Sequence, residues 1–376
     1  MHVKPIQALY PKLELIASND AFFGTVKHKF NEFLKSGFFE KNEQSGFYIY
    51  MIEMQGKSYT GVLASLDMQD YFNGHVISHE KTLAAKEQKS LEILLRRKAM
   101  IKPVLLTHPR ISDLSNVIKK VKTGEPFFEV VFEKDGSRHT LWFVKEAKHI
   151  EKIITVFRDR IPLCYIADGH HRFAAMKKLS SMREELVSPE MDIDHVLAAF
   201  FSFTHVEIYD FNRVLDILGE ISPVRFLAEI SRVCKIKPLK RAAIPLEKHE
   251  MTLLIEGEWF RLIWKKKVLD RYRKQKGEEY VLDVALFNDE ILGKILHVDD
   301  ITSDKRVLYI GGREGLDSLE RMVGKTDTRV GFCLYPLDIH AFKAVTDAGN
   351  LLPPKSTWFE PRMKNGFISL PMVDKV

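Results

Sequence analysis

The sequence predicts an α+β protein, and three observations lead there. Two pairs of extended segments face each other across short turns: Phe47–Glu53 with Tyr59–Leu66 across Gln55-Gly56, and Phe127–Glu133 with Arg138–Val144 around Gly136. Two apolar runs, Pro162–Ala167 and Val196–Phe203, have the length of buried strands. Segments with helical spacing of apolar residues lie among them.

Taken in order, Phe30, Phe33 and Leu34 are spaced as one face of a helix that reaches a turn near Gly37. After the first hairpin, Asp67–Gly74 is a turn-rich connection and His75–His79 alternates as a short strand. Thr82 is placed to cap a helix whose Leu91, Leu94 and Leu95 share a face. Lys102–Thr107 reads as a strand, and Ser112 as the N-cap of a helix ending near Gly124. The second hairpin, a helix over Ile150–Arg158, a strand over Leu163–Ala167, a helix opened by two histidines and a strand over Asp194–Phe203 follow. Beyond Val206 the sequence reads mainly as charge-rich helices, clearest at Ser222–Cys234 and Leu282–Leu296. Lys305–Ile310 and Phe332–Leu334 read as strands, with a helix running to Val323 between them. A helix over Asp338–Ala348 and an extended segment over Pro353–Phe359 close the chain. Two regions are expected: 1–205, an N-terminal α+β core, and 206–376, a C-terminal α/β region.

Composition narrows the class. With 376 residues, 45% hydrophobic and 29% charged, the chain is an ordinary globular protein of one enlarged domain or two. Its longest uncharged apolar run, eight residues from Val196 to Phe203, is too short to span a bilayer, and no apolar leader follows Lys4. A cytoplasmic location with no membrane partner is expected. Three dispersed cysteines argue against a disulfide framework and against thiolate zinc sites of the CxxC kind. The net charge of +6 suits small anionic ligands and does not by itself indicate nucleic acid, although Lys265–Lys276 carries seven Lys or Arg in twelve residues.

The stretch YIADGHHRFAAM, Tyr165–Met176, carries the densest chemistry. A strand, a glycine turn and a helix N-terminus in succession leave backbone N–H groups without intrahelical partners, a natural anion seat. Gly169 lets the backbone approach a ligand, Arg172 can grip a phosphate with two parallel bonds, and His170 or His171 can donate to an oxygen or move a proton. Asp168 can orient a histidine or hold Mg²⁺. A second group is His79, Glu80 and Thr82 in SHEKT, with Lys86 one turn on; Glu80 suits a general base and Lys86 can neutralise phosphate charge. A third, Lys355-Ser356-Thr357 in LLPPKSTWF, offers a cation and two hydroxyls, without the glycines of a Walker loop. Gly311-Gly312-Arg313-Glu314-Gly315 reads as a plain strand-to-helix turn.

These residues also carry a resemblance. YIADGHHRFAAM, DYFNGHVISHEKTLAAKEQKSLEILL, LDVALFNDEILGKIL and DAGNLLPPKSTWFEP resemble the family known as domain of unknown function 1015, over about residues 45–361. The Asp-Gly-His-His-Arg element further resembles the box of the ParB/sulfiredoxin-like superfamily, which includes free serine kinases. That resemblance implies a mixed-sheet nucleotide-binding core and transfer of a phosphoryl group, from ATP or ADP with Mg²⁺, to a small hydroxyl amino acid, free L-serine first among them. It implies that Gly169, His170, His171 and Arg172 bind the phosphates and that Asp168 assists, with the PPKST segment a candidate to return to the site. The catalytic set is then Glu80, Asp168 and His170. His79, Thr82, Lys86, Lys355, Ser356 and Thr357 complete the phosphate-binding set. No dedicated metal ligand is assigned; Asp168 or Glu80 are the candidates. One departure stands out: where members usually carry Pro-Tyr-Asp near the N-terminus, this chain has Leu15-Ile16-Ala17-Ser18-Asn19-Asp20, which leaves the acceptor open. The alternative reading is a ParB-like nucleotide switch or nucleic-acid-binding protein without kinase activity. The absence of a helix-turn-helix pattern counts against it.

Overall fold

The structure is a computed structural model that describes residues 1–182, 191–277 and 281–373. The chain divides into two compact units, one formed by 1–207 and 361–376, the other by 208–360.

The first unit is built on a mixed sheet. Its strands are β1 (Val3–Lys4), β2 (Phe47–Met54), β3 (Lys57–Asp67), β4 (Val76–Ile77), β5 (Val104–His108), β6 (Phe128–Val131), β7 (Arg138–Val144), β8 (Cys164–Asp168) and β9 (His195–Ser202). They lie in the order β4-β8-β5-β9-β3-β2-β7-β6, with β1 on β3. β8 runs parallel to β4 and antiparallel to β5, whereas β9 runs parallel to β5 and antiparallel to β3. The central strands β3, β5 and β9 are buried over almost their whole length, which is why they read as apolar runs without alternation. The β2–β3 hairpin turns at Gln55-Gly56, both with positive φ, as a two-residue turn between twisted strands requires.

Five helices of this unit matter for the site: α1 (Asn19–Lys35), α2 (Ala84–Arg97), α3 (Ser112–Val121), α4 (Ala147–Arg160) and α5 (His170–Ser181). α1 begins where the Ser18 hydroxyl accepts from the Ala21 N–H, and it buries Phe22, Phe23, Val26 and Phe30. α2 buries Leu91 and Leu94, and α5 buries Phe173, Ala175, Met176 and Leu179. Each large apolar side chain so buried contributes about 1.5–3 kcal/mol of transfer free energy. Two expected caps differ. Leu83, not Thr82, precedes α2, and the Thr82 hydroxyl bonds the Glu87 carboxylate instead. Ser112 is already helical, with Ile111 at the cap position. The expected strand His75–His79 shrinks to Val76–Ile77, and His75 Nδ1 lies 2.9 Å from the buried Asp70 carboxylate.

The second unit corrects the expectation of mainly charge-rich helices after Val206. It holds a wholly antiparallel six-stranded sheet: β10 (Phe211–Asp216), β11 (Cys234–Leu239), β12 (Glu250–Ile255), β13 (Glu258–Trp264), β14 (Val307–Gly311) and β15 (Arg329–Leu334), in the order β11-β13-β12-β15-β10-β14. The period-two pattern of β13 is interrupted by Arg261, and the fully buried β12 has no alternation to read. Its helices include α6 (Pro223–Val233), α7 (Lys266–Lys276) and α8 (Asp283–Leu286), which widens into a π-helix over Phe287–Gly293. Cys164, Cys234 and Cys333 are free and buried. No helix among the described residues is long and apolar enough to cross a membrane.

Candidate functional site

The Asp168 turn is shaped by the end of β8. A bulge shifts the β8–β5 register between Ile166 and Asp168, so Ala167 drops out of the ladder and Asp168 pairs with Leu105 just before α5 starts. Gly169 occupies the cap position of α5 at φ +99°, and no side chain caps the helix. The guanidinium of Arg172 lies over it. A Cβ at position 169 would sit 2.6 Å from Arg172 Nη2, so the backbone angle favours glycine and a side chain there would push the guanidinium aside.

Arg172 Nη2 donates to Asp168 Oδ2 at 2.9 Å and to the Pro103 carbonyl at 3.1 Å. Lys102 Nζ lies 3.6 Å from the same carboxylate oxygen, and Arg362 Nη1 lies 3.8 Å from the other. Burial alone would raise the Asp168 pKa; Lys102, Arg172 and Arg362 together overcome it and hold the carboxyl far below the usual range. Lys102 is lowered as well, chiefly by burial; Asp168 resists that shift and the two arginines add to it. The turn therefore carries three cations against one carboxylate. It also keeps contact with solvent, since the Arg172 side chain is 30% exposed and Asp168 is 21% exposed.

Beside it sits a histidine pair. His79 and His170 meet edge to face, with ring centroids 4.5 Å apart. His170 Nδ1 is 3.6 Å from Glu80 Oε2. Burial lowers the His170 pKa to about 4; Asp168 opposes the shift, and His171 and Arg172 add to it. His79, also buried, is pushed well below the ordinary imidazole value by desolvation and by His170, although it donates to the Ile166 carbonyl. Both rings are therefore neutral near pH 7. Lys178 on α5 bonds Gln88 on α2 at 2.9 Å, so the helices that follow the two motifs lie side by side.

The structure thus brings His79, Glu80, Asp168, Gly169, His170 and Arg172 together. His171 is near enough to depress His170. Thr82 is engaged with Glu87, and Lys86 is exposed on the first turn of α2. Neither forms a hydrogen bond or ion pair with the turn among the described residues. Lys355, Ser356 and Thr357 belong to the second unit. There the Lys355 carbonyl accepts from the buried Arg213 at 3.0 Å, Lys355 Nζ lies 5.0 Å over the Phe211 ring, and the Ser356 hydroxyl donates to the Pro353 carbonyl at 2.5 Å. In the same unit Gly311 and Gly312 pack against Trp358 and the Asp210 backbone, as a structural turn does. α7 carries the basic stretch, and its Arg271 pairs with the buried Glu290 at 2.6 Å.

Lys102 and Arg362 were missed in the sequence reading because each stands alone beside a proline, with no motif around it. The one signal was position: Arg362 directly follows the WFEP motif. A second omission is larger. Lys102 and Arg172 also line a cleft of about 560 Å³ whose other cations are Lys27, Lys89, Arg96 and Arg97, with Glu92 the one carboxylate in its wall. Arg97 is lowered to about 10 by burial and by Arg96. No group of three or more His, Cys, Asp or Glu side chains able to hold a metal occurs among the described residues. Asp168 faces three cations, with which a metal ion at that carboxylate would have to compete.

A family model described as a protein of unknown function, DUF1015, matches residues 9–285. The chain is a member of the DUF1015 family. No curated protein matches this DUF1015 chain. Solved structures similar to it include a mutant free serine kinase in complex with ADP (13% identity, 83% of this chain and 92% of that one, TM-score 0.42). A free serine kinase in complex with AMP is 14% identical over 83% and 91% of the two chains, with TM-score 0.39. SbnI with C-terminal truncation from Staphylococcus aureus is 11% identical over 82% and 87%, with TM-score 0.43. No residue role is carried over from them.

Proposed function

We propose that the Asp168–Arg172 turn binds the phosphate groups of a nucleotide, ATP or ADP, and that the protein transfers a phosphoryl group from it to the hydroxyl of a small acceptor. Free L-serine is the acceptor that the motif resemblance suggests. The observation that carries this reading is the set of three cations, Lys102, Arg172 and Arg362, gathered on one carboxylate at an uncapped helix N-terminus beside a cation-lined cleft. Phosphoryl transfer demands positioning and charge neutralisation more than covalent chemistry from the protein. Mg²⁺ enters this reading as the companion of the nucleotide phosphates, which supply most of its ligands.

The same charges divide the roles of the two carboxylates. Asp168 is held ionised by its cations and is a poor proton acceptor, so it positions Arg172 and Lys102. Glu80, more than a third exposed and beside the neutral His170, takes the acceptor's proton. The test is direct: incubate the full chain with Mg²⁺, ATP or ADP and a panel of hydroxyl amino acids, then follow product mass. A phosphorylated amino acid supports the reading; none with any pair contradicts it.

A further inference from the structure

A second cavity, of about 270 Å³, lies in the first unit where β5 and β9 end, lined among others by His108, Leu114, Ile118, Lys122, Phe200 and Ser202. It is distinct from the Asp168 turn. Asp168 pairs with Leu105, and His108 lies three residues farther along β5, about 10 Å away at the rise of a strand.

Its wall is divided by chemistry. Leu114 and Ile118 of α3 with Phe200 of β9 give an apolar surface. One turn beyond Ile118, at the C-terminal end of α3, stands an ammonium with poor company. Lys122 Nζ is 2.9 Å from the Met51 thioether, 3.4 Å from the Thr60 hydroxyl and 5.6 Å from the centre of the Trp142 ring. It makes no ion pair within 4 Å among the described residues, and a thioether is a weak acceptor. A half-buried charge so poorly solvated is costly, and an entering anion would relieve that cost. Lys119, one turn earlier, adds a second positive charge to the wall. His108 does not compete for an anion. Its Nδ1 donates to the Pro109 carbonyl at 2.7 Å, and burial keeps the ring neutral, with its pKa lowered to about 4.

We propose that this cavity is a binding site for a small organic carboxylate with a short apolar chain, the carboxylate pairing with Lys122 and the chain lying on Leu114, Ile118 and Phe200. The apolar part of the wall suits a short hydrocarbon chain, and its cationic edge, Lys122 with Lys119, suits an anionic head group beside the hydroxyls of Thr60, Ser115, Thr123 and Ser202. The inference stands apart from the phosphotransferase reading and does not depend on it.

The probes are hexanoate and its uncharged counterpart 1-hexanol, titrated into the full chain by calorimetry or ligand-observed NMR. Hexanoate should bind saturably and at least about tenfold more tightly than hexanol, the ratio that roughly 1.4 kcal/mol of ion pairing supplies. Lys122→Met should abolish that preference, and Lys122→Arg should retain most of it. If Lys122→Met does not fold, Ile118→Trp fills the cavity and should block hexanoate equally. Inorganic triphosphate titrated into the same variants reports on the Asp168 turn and should be unaffected. Hexanoate binding no better than hexanol, or binding indifferent to both Lys122→Met and Ile118→Trp, overturns the proposal and leaves Lys122 as a lysine that merely lays its stem along apolar surface.

Discussion

The guanidinium of Arg172 rests on Gly169, so close that a Cβ there would stand 2.6 Å from Nη2, while the same nitrogen bonds Asp168 at 2.9 Å. The loop backbone, the cation and the carboxylate are in mutual contact, so a change at any of them should be felt at the others.

Gly169→Ala tests that coupling. The substitution meets a left-handed backbone and the Arg172 side chain together, so it should cost about 1–3 kcal/mol of stability and displace the guanidinium. Thermal melts with and without inorganic triphosphate check both effects. An alanine variant with wild-type melting and triphosphate response would show that the contact is dispensable.

Arg172→Ala should lower phosphotransfer by roughly 10²-fold or more, as expected for removal of a preorganised charge at a phosphate, with the fold retained. Arg172→Lys should recover only part, because an ammonium keeps the charge but cannot reproduce the two-pronged geometry. Circular dichroism alongside turnover separates the two losses.

The two carboxylates should behave differently. Glu80→Gln should reduce kcat by about 10²–10⁴-fold with little change in nucleotide affinity, the range seen for loss of a general base. Asp168→Asn removes the counter-charge that Lys102, Arg172 and Arg362 share, so its main effect should be on stability and nucleotide affinity. Equal kcat losses with unchanged KM in both variants would reverse the assignment of roles.

Stability should fall as the solution is acidified from about pH 7 towards pH 4. His108 and His170 are lowered to about 4 and His139 to about 3 by burial, each well below its unfolded value. Between those values and the ordinary imidazole range the unfolded chain binds more protons, so stability is fully present above that range and is lost as pH drops through it. Asp210, raised to about 6 by burial despite Arg213, acts in the opposite sense, as one group against three. Melting temperatures measured across this interval check the sign; a flat or rising profile on acidification would contradict it.

The first sheet was largely legible because its hairpins carry turn residues and β9 is a nearly continuous apolar run. The second was not: β12 is buried on both faces, and in β13 Arg261 breaks the period-two pattern that marks a strand. The site divided in the same way. Asp168, Gly169, His170 and Arg172 stand in one motif and His79 and Glu80 in another, and the α2–α5 contact joins them. Lys102 and Arg362 reach Asp168 from far along the chain, a proximity that only tertiary structure creates.

The most direct test is calorimetric titration of ADP into the wild-type chain and into Arg172→Ala at fixed ionic strength. Saturable binding by the wild type, weakened at least about tenfold in a folded Arg172→Ala variant, is the predicted result, equivalent to roughly 1.4 kcal/mol or more from the charge clamp. ADP binding of equal affinity in the two proteins, or none in either, would contradict the assignment of the Asp168–Arg172 turn as a phosphate seat.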